Sequence, residues 1–370
     1  MIEYSRRALL VGGAVGVGSA AVAVAAFGAR ASQATVETAR PTPSPAAPPP
    51  PSPTAAPAAP PPPPPPVVLG PPAQVASLVP RTSGAVLQQV EVCRTGELFT
   101  TQSREGTAEG RYTTVIARST SPATSATANP ELDAMVVVDG GHGLGLHVEP
   151  RPDGGHDVWM SLQGPVPQSD PNGGRLARFA YTPGTWAIDG IPGGVTWLPQ
   201  FPNDAGAPQE AVYAFDWDRG FAVERMFDFT TGRQERYTRR RISDLVQGVD
   251  APCGRMTLPV NAPTLQGFTT VDSTLFRWVG LGNGGSGAPV PSDPMALEQF
   301  DWVSGARTAI TPFPTLGQVD GAWPGGAYEP EGCSVLRSPD GSAALILGVT
   351  TGPGGHHAWP VFAVPLGARA

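Results

Sequence analysis

From Gln74 to Ala370 no long stretch repeats apolar residues at i, i+3, i+4 and i+7 without a glycine or proline cutting it. With 46 glycines and 45 prolines in 370 residues, helix-length segments are broken before they can present a continuous apolar face. Short runs of strand character stand in their place: Leu87-Gln88-Gln89-Val90-Glu91-Val92, Met135-Val136-Val137-Val138, Val158-Trp159-Met160-Ser161-Leu162 and Leu345-Ile346-Leu347. Turn sequences such as Asp153-Gly154-Gly155 and Asp340-Gly341 punctuate them. This pattern predicts an all-β domain.

The runs come in repeated units, each a polar head, a short strand, a turn and a second strand. Gln88 leads to Leu98-Phe99, His142 to Val158-Trp159, Gln209 to Phe221-Ala222, Gln266 to Leu275-Phe276 and Glu331 to Leu345-Ile346. The five heads are 54, 67, 57 and 65 residues apart. Four-stranded blades with loops need about 40 to 50 residues or somewhat more, so five such units predict a five-bladed β-propeller. A two-sheet sandwich with long loops is the competing architecture. In a propeller the heads Gln88, His142, Gln209, Gln266 and Glu331 stand at equivalent places around the axis. They read either as a hydrogen-bonded plug or as a ligand-binding funnel.

Gly140-Gly141-His142-Gly143 with Val148-Glu149-Pro150, Gly174-Arg175-Leu176-Ala177-Arg178-Phe179, Leu265-Gln266-Gly267-Phe268 and Glu329-Pro330-Glu331-Gly332 resemble the TagC-like propeller family. That family takes in bacterial proteins labelled teichoic acid biosynthesis protein C and the propeller of phage receptor-binding proteins that recognise wall teichoic acid. The resemblance spans most of residues 80 to 369, with Gln209-Glu210-Ala211-Val212 of the third unit departing from the pattern. It implies binding of a cell-wall glycopolymer and brings no catalytic set with it.

Ahead of the β-rich region, Ser5-Arg6-Arg7-Ala8-Leu9-Leu10 is followed by an uncharged Gly-, Ala- and Val-rich run and by Ala29-Arg30-Ala31. A basic head, a weakly apolar stretch and an A-x-A site predict a twin-arginine-type export signal over 1–31, and a bacterial protein that is secreted or held at the cell wall. An uncleaved membrane anchor is the alternative, and this signal segment is the sole membrane contact expected. Residues 32–73, with the seven-proline run Pro60 to Pro66, predict a disordered Pro/Ala-rich linker ahead of a β-propeller domain over 74–370.

All 24 basic residues are arginines, which excludes Schiff-base and P-loop lysine chemistry. The formal charge of −7 becomes −9 once the signal takes away three arginines and one glutamate, so the domain lacks the basic footprint of a nucleic-acid binder. Cys93, Cys253 and Cys333 form no C-x-x-C pair; one disulfide is open to an exported protein and none is required.

The densest chemistry lies in Asp139 to Pro150, DGGHGLGLHVEP. A dinucleotide loop needs a helix directly after its glycines, and Pro150 and Pro152 forbid one. A metal reading would join His147 and Glu149, which share a strand face, to His156 or to His356 and His357; the spacing is not that of zinc motifs, and no metal or cofactor is expected. Gly284-Gly285-Ser286-Gly287-Ala288 fails the G-x-S-x-G pattern at its last position. Asp139, Glu149, Asp216, Asp218, Glu329 and Glu331 keep a polysaccharide-cleaving enzyme as an alternative to a binding module, and a protein-interaction scaffold is a third class. The run Arg233 to Arg241 offers Arg236, Arg239, Arg240 and Arg241 as an anion-binding cluster. Trp159, Trp278, Trp302, Trp323 and Trp359 offer ring faces, most of them expected between blades as core. The chain is expected to act as a monomer.

Overall fold

A computed structural model describes residues 62–81, 86–105, 111–120, 129–163, 174–201, 211–228, 234–258, 264–280, 295–317, 326–353 and 357–369. The signal and most of the linker, with Gln209, Trp323, His356 and the Gly284–Ala288 motif, lie outside them. The described residues form one compact unit.

Two strands come first, β1 (Val67–Leu69) and β2 (Ala73–Leu78). Blade one follows with β3 (Leu87–Val92), β4 (Leu98–Glu105), β5 (Tyr112–Ser119) and β6 (Glu131–Val138). Blade two holds β7 (His147–Pro150), β8 (His156–Leu162) and β9 (Arg175–Ala180). From there β10 (Gly184–Ala187) crosses to pair in parallel with β6, and β11 (Val195–Trp197) returns to the edge of β9. Blade three is β12 (Val212–Asp216), β13 (Phe221–Asp228), β14 (Gln234–Arg241) and β15 (Gly254–Leu258), with a short helix α1 (Ile242–Gln247) before the last strand. Blade four is β16 (Leu265–Val271), β17 (Thr274–Val279), β18 (Ala296–Asp301) and β19 (Arg307–Pro312). Blade five runs β20 (Gly326–Arg337), β21 (Ala343–Pro353) and β22 (Trp359–Arg369), and its outer side is completed by β1 and β2 from the other end of the chain.

Each second strand buries both faces, because each blade is sandwiched between two others. In β4, Leu98 enters a core with Leu87, Ile346 and Trp359 of blades one and five, while Phe99 enters one with Val158 and Met160 of blade two. Leu275 and Phe276 divide in the same way between blades three and five, and Trp159 and Met160 between blades three and one. The contiguous apolar pairs at the start of each second strand therefore result from two-sided burial, where a one-sided sheet would alternate. Trp159, Trp278, Trp302 and Trp359 are all buried in these inter-blade layers.

The inner strands crowd the centre. A Cβ on Gly267 of β16 would meet the Cys333 backbone nitrogen at 2.6 Å, and one on Gly332 of β20 would meet Gln89 Cα at 2.8 Å. Only a hydrogen in place of a side chain lets these strands approach so closely.

One sequence expectation needs correction. The linker does not extend to residue 73: Val67-Val68-Leu69, apolar residues directly after the prolines, already belong to blade five. None of the three cysteines is bridged; Cys93 and Cys333 are buried and Cys253 is exposed.

Candidate functional site

Inner strands of a propeller run side by side down the channel, so their first residues gather at one end and their last at the other. At the strand-start end, Gln88 and Gln266 are the extra residues of β-bulges in β3 and β16. The matching bulge in β20 falls on Gly332, one residue beyond Glu331, so the true structural repeat aligns Gly332 with the two glutamines. Gln88, Gln266 and Glu331 are all buried. Gln89, beside the bulge, accepts from the Cys333 N–H at 2.9 Å and donates to its carbonyl at 3.2 Å, tying blade one to blade five. His142 lies in the irregular segment ahead of β7, its ring 3.9 Å from that of Tyr112. Thr101 and Thr114 hold the segment through the Gly143 and Gly141 carbonyls, at 2.5 and 2.6 Å.

The strand-exit end is different in kind. Arg94 lies just beyond β3, Arg151 directly after β7, Arg219 in the turn after β12, and Arg337 closes β20. Arg94 pairs with Asp218, and Arg337 donates to Asp216 at 2.9 and 3.2 Å. These pairs join blade one to three and blade five to three, which are not neighbours, so the bonds cross the end of the channel. Arg219 reaches Asp272 of blade four at 3.1 Å, and Arg151 pairs with Asp153. Burial works against the Arg337 charge, but Asp216, with Asp272 and Asp218 nearby, outweighs it and raises its pKa above that of a free arginine.

Aromatic rings line the same end between blades two and three. The half-buried indole of Trp217, first residue after β12, stacks on His147 at 4.6 Å and 19° and meets Trp159 edge-on at 5.2 Å. Glu91 of blade one fixes His147 through Nδ1 at 2.5 Å and accepts from the Val148 N–H at 3.2 Å. Arg178 covers Trp159 and pairs with Asp157 at 2.6 Å, and Trp159 donates to Glu149 at 3.3 Å. The carboxylates Glu149, Asp216 and Asp218 are thus each held by an arginine or an indole N–H.

The arginine run of β14 does not form the expected open cluster. Arg240 is buried, paired with Glu224 and with Asp250 at 2.9 Å, and covers the Phe201 ring, so its charge is neutralised inside the blade. Arg239 is buried over Phe221, and desolvation lowers its pKa from the usual arginine value. Arg241 is exposed and Arg236 half-buried, on opposite faces of the strand. Two exposed arginines, Arg94 and Arg219, instead stand at the strand exits with the half-buried Arg151 and Arg337, and they were missed because each is an isolated residue at a strand end. Their shared signal is position: four of the five units carry an arginine where the inner strand ends.

The family described as the phage 5-bladed beta propeller receptor binding platform domain matches residues 86–363. Among solved structures, the chain is similar to the tail fibre of Staphylococcus aureus phage P68, with a TM-score of 0.61 and 18% identity over 80% of this chain. It spans about half of that fibre chain, 53%. An endo-arabinase from Bacteroides thetaiotaomicron VPI-5482 aligns over 79% of this chain and 95% of its own at 11% identity, with a TM-score of 0.36. Among curated protein sequences none matches.

Proposed function

Since this chain belongs to the family of phage five-bladed β-propeller receptor-binding platform domains, we propose that its strand-exit face binds a cell-surface receptor, and that this receptor is a cell-wall glycopolymer of the teichoic-acid type. The observation that carries the reading is the half-buried Trp217 indole beside the exposed guanidinium groups of Arg94 and Arg219. A polyol phosphate chain presents C–H faces to an aromatic ring and anionic oxygens to arginine forks. The present partners of Arg94 and Arg219 are surface carboxylates, and exposed ion pairs are worth only about 0–1 kcal/mol, so a phosphate displaces them at small cost. The β14 arginines contribute less, because Arg239 and Arg240 are committed inside the blade.

The same proposal places the domain outside the cytoplasm, carried by the twin-arginine-type segment and spaced from a surface by the proline-rich linker. Mass spectrometry of the mature protein beginning after Ala31 supports this; an intact Met1–Ala31 segment in membranes refutes cleavage. For the ligand, the full chain is tested in pull-downs against purified wall teichoic acid, with phosphate-free wall glycans as control. Retention on the teichoic acid alone, reduced at least tenfold by Trp217→Ala and by Arg94→Ala combined with Arg219→Ala, is the expected result. Equal retention on phosphate-free glycans, or no effect of these variants, overturns it. The polymer's length stays unchanged on prolonged incubation; shortening identifies the enzyme alternative instead.

A further inference from the structure

Away from the aromatic wall, two hairpin ends of adjacent blades bring three metal-ligating side chains together. Cys93 and Glu97 face each other at the end of the β3–β4 hairpin, whose backbone closes through Cys93 N–H to the Glu97 carbonyl at 2.9 Å. His156 begins β8, just after the turn from β7, so it belongs to blade two. The Cys93 Sγ, a Glu97 oxygen and a His156 ring nitrogen all lie within 4.8 Å of one another. His156 Nε2 is 2.9 Å from Glu97 Oε2. Bonds of about 2.0–2.3 Å in a tetrahedron set donors roughly 3.3–3.6 Å apart, and the Glu97–His156 pair lies within about half an ångström of that spacing.

The surroundings fit a cation. The Thr95 hydroxyl lies 2.7 Å from Cys93 Sγ, 2.9 Å from Glu97 Oε2 and 3.5 Å from His156 Nε2, which marks the point on which the three donors converge. Rotation about one side-chain bond moves that oxygen aside or leaves it as a fourth donor. The second Glu97 oxygen is held by Arg118 at 3.1 Å, Arg118 is in turn bound to Asp133, and Tyr181 donates to Asp133 at 2.8 Å. Outer contacts of this kind fix the orientation of a ligating carboxylate. With a thiolate at Cys93, the three negative groups Cys93, Glu97 and Asp133 face the single positive Arg118, leaving two net negative charges for a dication. His156 and Cys93 are both buried, and the Phe99 ring packs edge-on against His156 at 5.1 Å, which limits water at the site.

We propose that Cys93, Glu97 and His156 form a binding site for a borderline-soft divalent transition metal, zinc first, that fastens blade one to blade two. One sulfur, one imidazole nitrogen and one carboxylate oxygen suit zinc better than calcium or magnesium, which take oxygen ligands. Binding replaces the thiol proton: the Cys93 S–H bond breaks, a sulfur–metal bond forms, and one proton is released to solvent.

The test titrates cobalt(II) into the untagged full chain, followed by zinc. The expected result is one cobalt per chain, with a near-ultraviolet thiolate-to-metal charge-transfer band that zinc abolishes. Cys253→Ser, which removes the exposed thiol, leaves the band intact; Cys93→Ser abolishes it, and His156→Ala weakens binding at least about tenfold. Should Cys93→Ser fail to fold, the comparison of wild type, Cys253→Ser and His156→Ala decides alone. No charge-transfer band at millimolar cobalt, a band lost in Cys253→Ser, or a band unchanged in His156→Ala overturns the site.

Discussion

Arg277 is fully buried where blades three and four meet. Its Nε donates to the Tyr237 hydroxyl at 3.0 Å, one terminal nitrogen donates to Glu235 at 2.9 Å, and the other binds Glu298. Arg277→Met keeps much of the stem and deletes the charge, leaving Glu298 with Arg307 and Glu235 with Arg225 and Tyr237. Removing one partner of a buried ion pair costs about 3–5 kcal/mol, since the other charge stays desolvated. A propeller of roughly 300 residues unfolds with an entropy near 0.6 kcal/mol/K, so Tm falls by about 5–8 °C.

The pH dependence distinguishes a lost charge from lost packing. Burial raises the Glu235 pKa, but Arg225 and Arg277 outweigh it and hold the carboxyl below the ordinary value of 4.5. A depressed carboxyl contributes stability that is complete above its unfolded value and is lost as pH falls through the folded one. Without Arg277 that carboxyl moves upward, so the penalty is greatest at neutral pH and shrinks below pH 4.5. Scanning calorimetry from pH 3 to pH 8 measures this, and adding Glu298→Gln and Glu235→Gln to the variant recovers about half the loss or more. A melting point within about 1 °C of wild type, or a penalty that grows in acid, refutes the reasoning.

Gly267→Ala drives a Cβ against the Cys333 backbone and lowers stability by about 1–3 kcal/mol, whereas Gly190→Ala, with open space around it, is neutral or stabilising by up to about 1 kcal/mol; thermal melts of the two side by side decide. Gln89→Ala deprives the buried Cys333 backbone of both side-chain bonds, costs about 1–3 kcal/mol, and speeds amide exchange in β20 more than in β12. Burial opposes the Asp133 charge, but hydrogen bonds from Arg118 and Tyr181 outweigh it and depress the pKa. Asp133→Asn is therefore destabilising above about pH 4, and the difference disappears on acidification through the folded value, as urea midpoints across pH 2 to 7 report.

The blade count was legible because two-sided burial writes itself into the chain as adjacent apolar pairs, Leu98-Phe99 and Leu275-Phe276 among them, at recurring distances. The closing strands were not, since Val67-Val68-Leu69 sits against seven prolines and its partner Arg369 lies at the far end of the sequence. Glu331 was set one residue off because a bulge adds a residue without altering local composition. Arg240 looked available for the same kind of reason: Glu224, which neutralises it, stands on the neighbouring strand, and a linear reading does not pair them. Trp217 reads in the sequence only as the start of a turn, although its indole is half-buried against His147 and Trp159.

The family resemblance begins at residue 86, yet the ring is closed by β1 and β2, which end at Leu78. A fragment begun at the start of the family match and kept whole to its end would leave β22 with an unpaired edge, its N–H and C=O groups facing solvent along the outside of blade five. Such an edge is a template for any passing strand, and the best-matched one is Val67–Leu78 of another molecule. Trimmed and intact chains mixed together would then exchange this segment, producing pairs in which one ring is latched by its neighbour's leader. The short stretch after the prolines is thus the clasp that covers the outer edge of blade five, and protease cutting is harmless only when it falls before Val67.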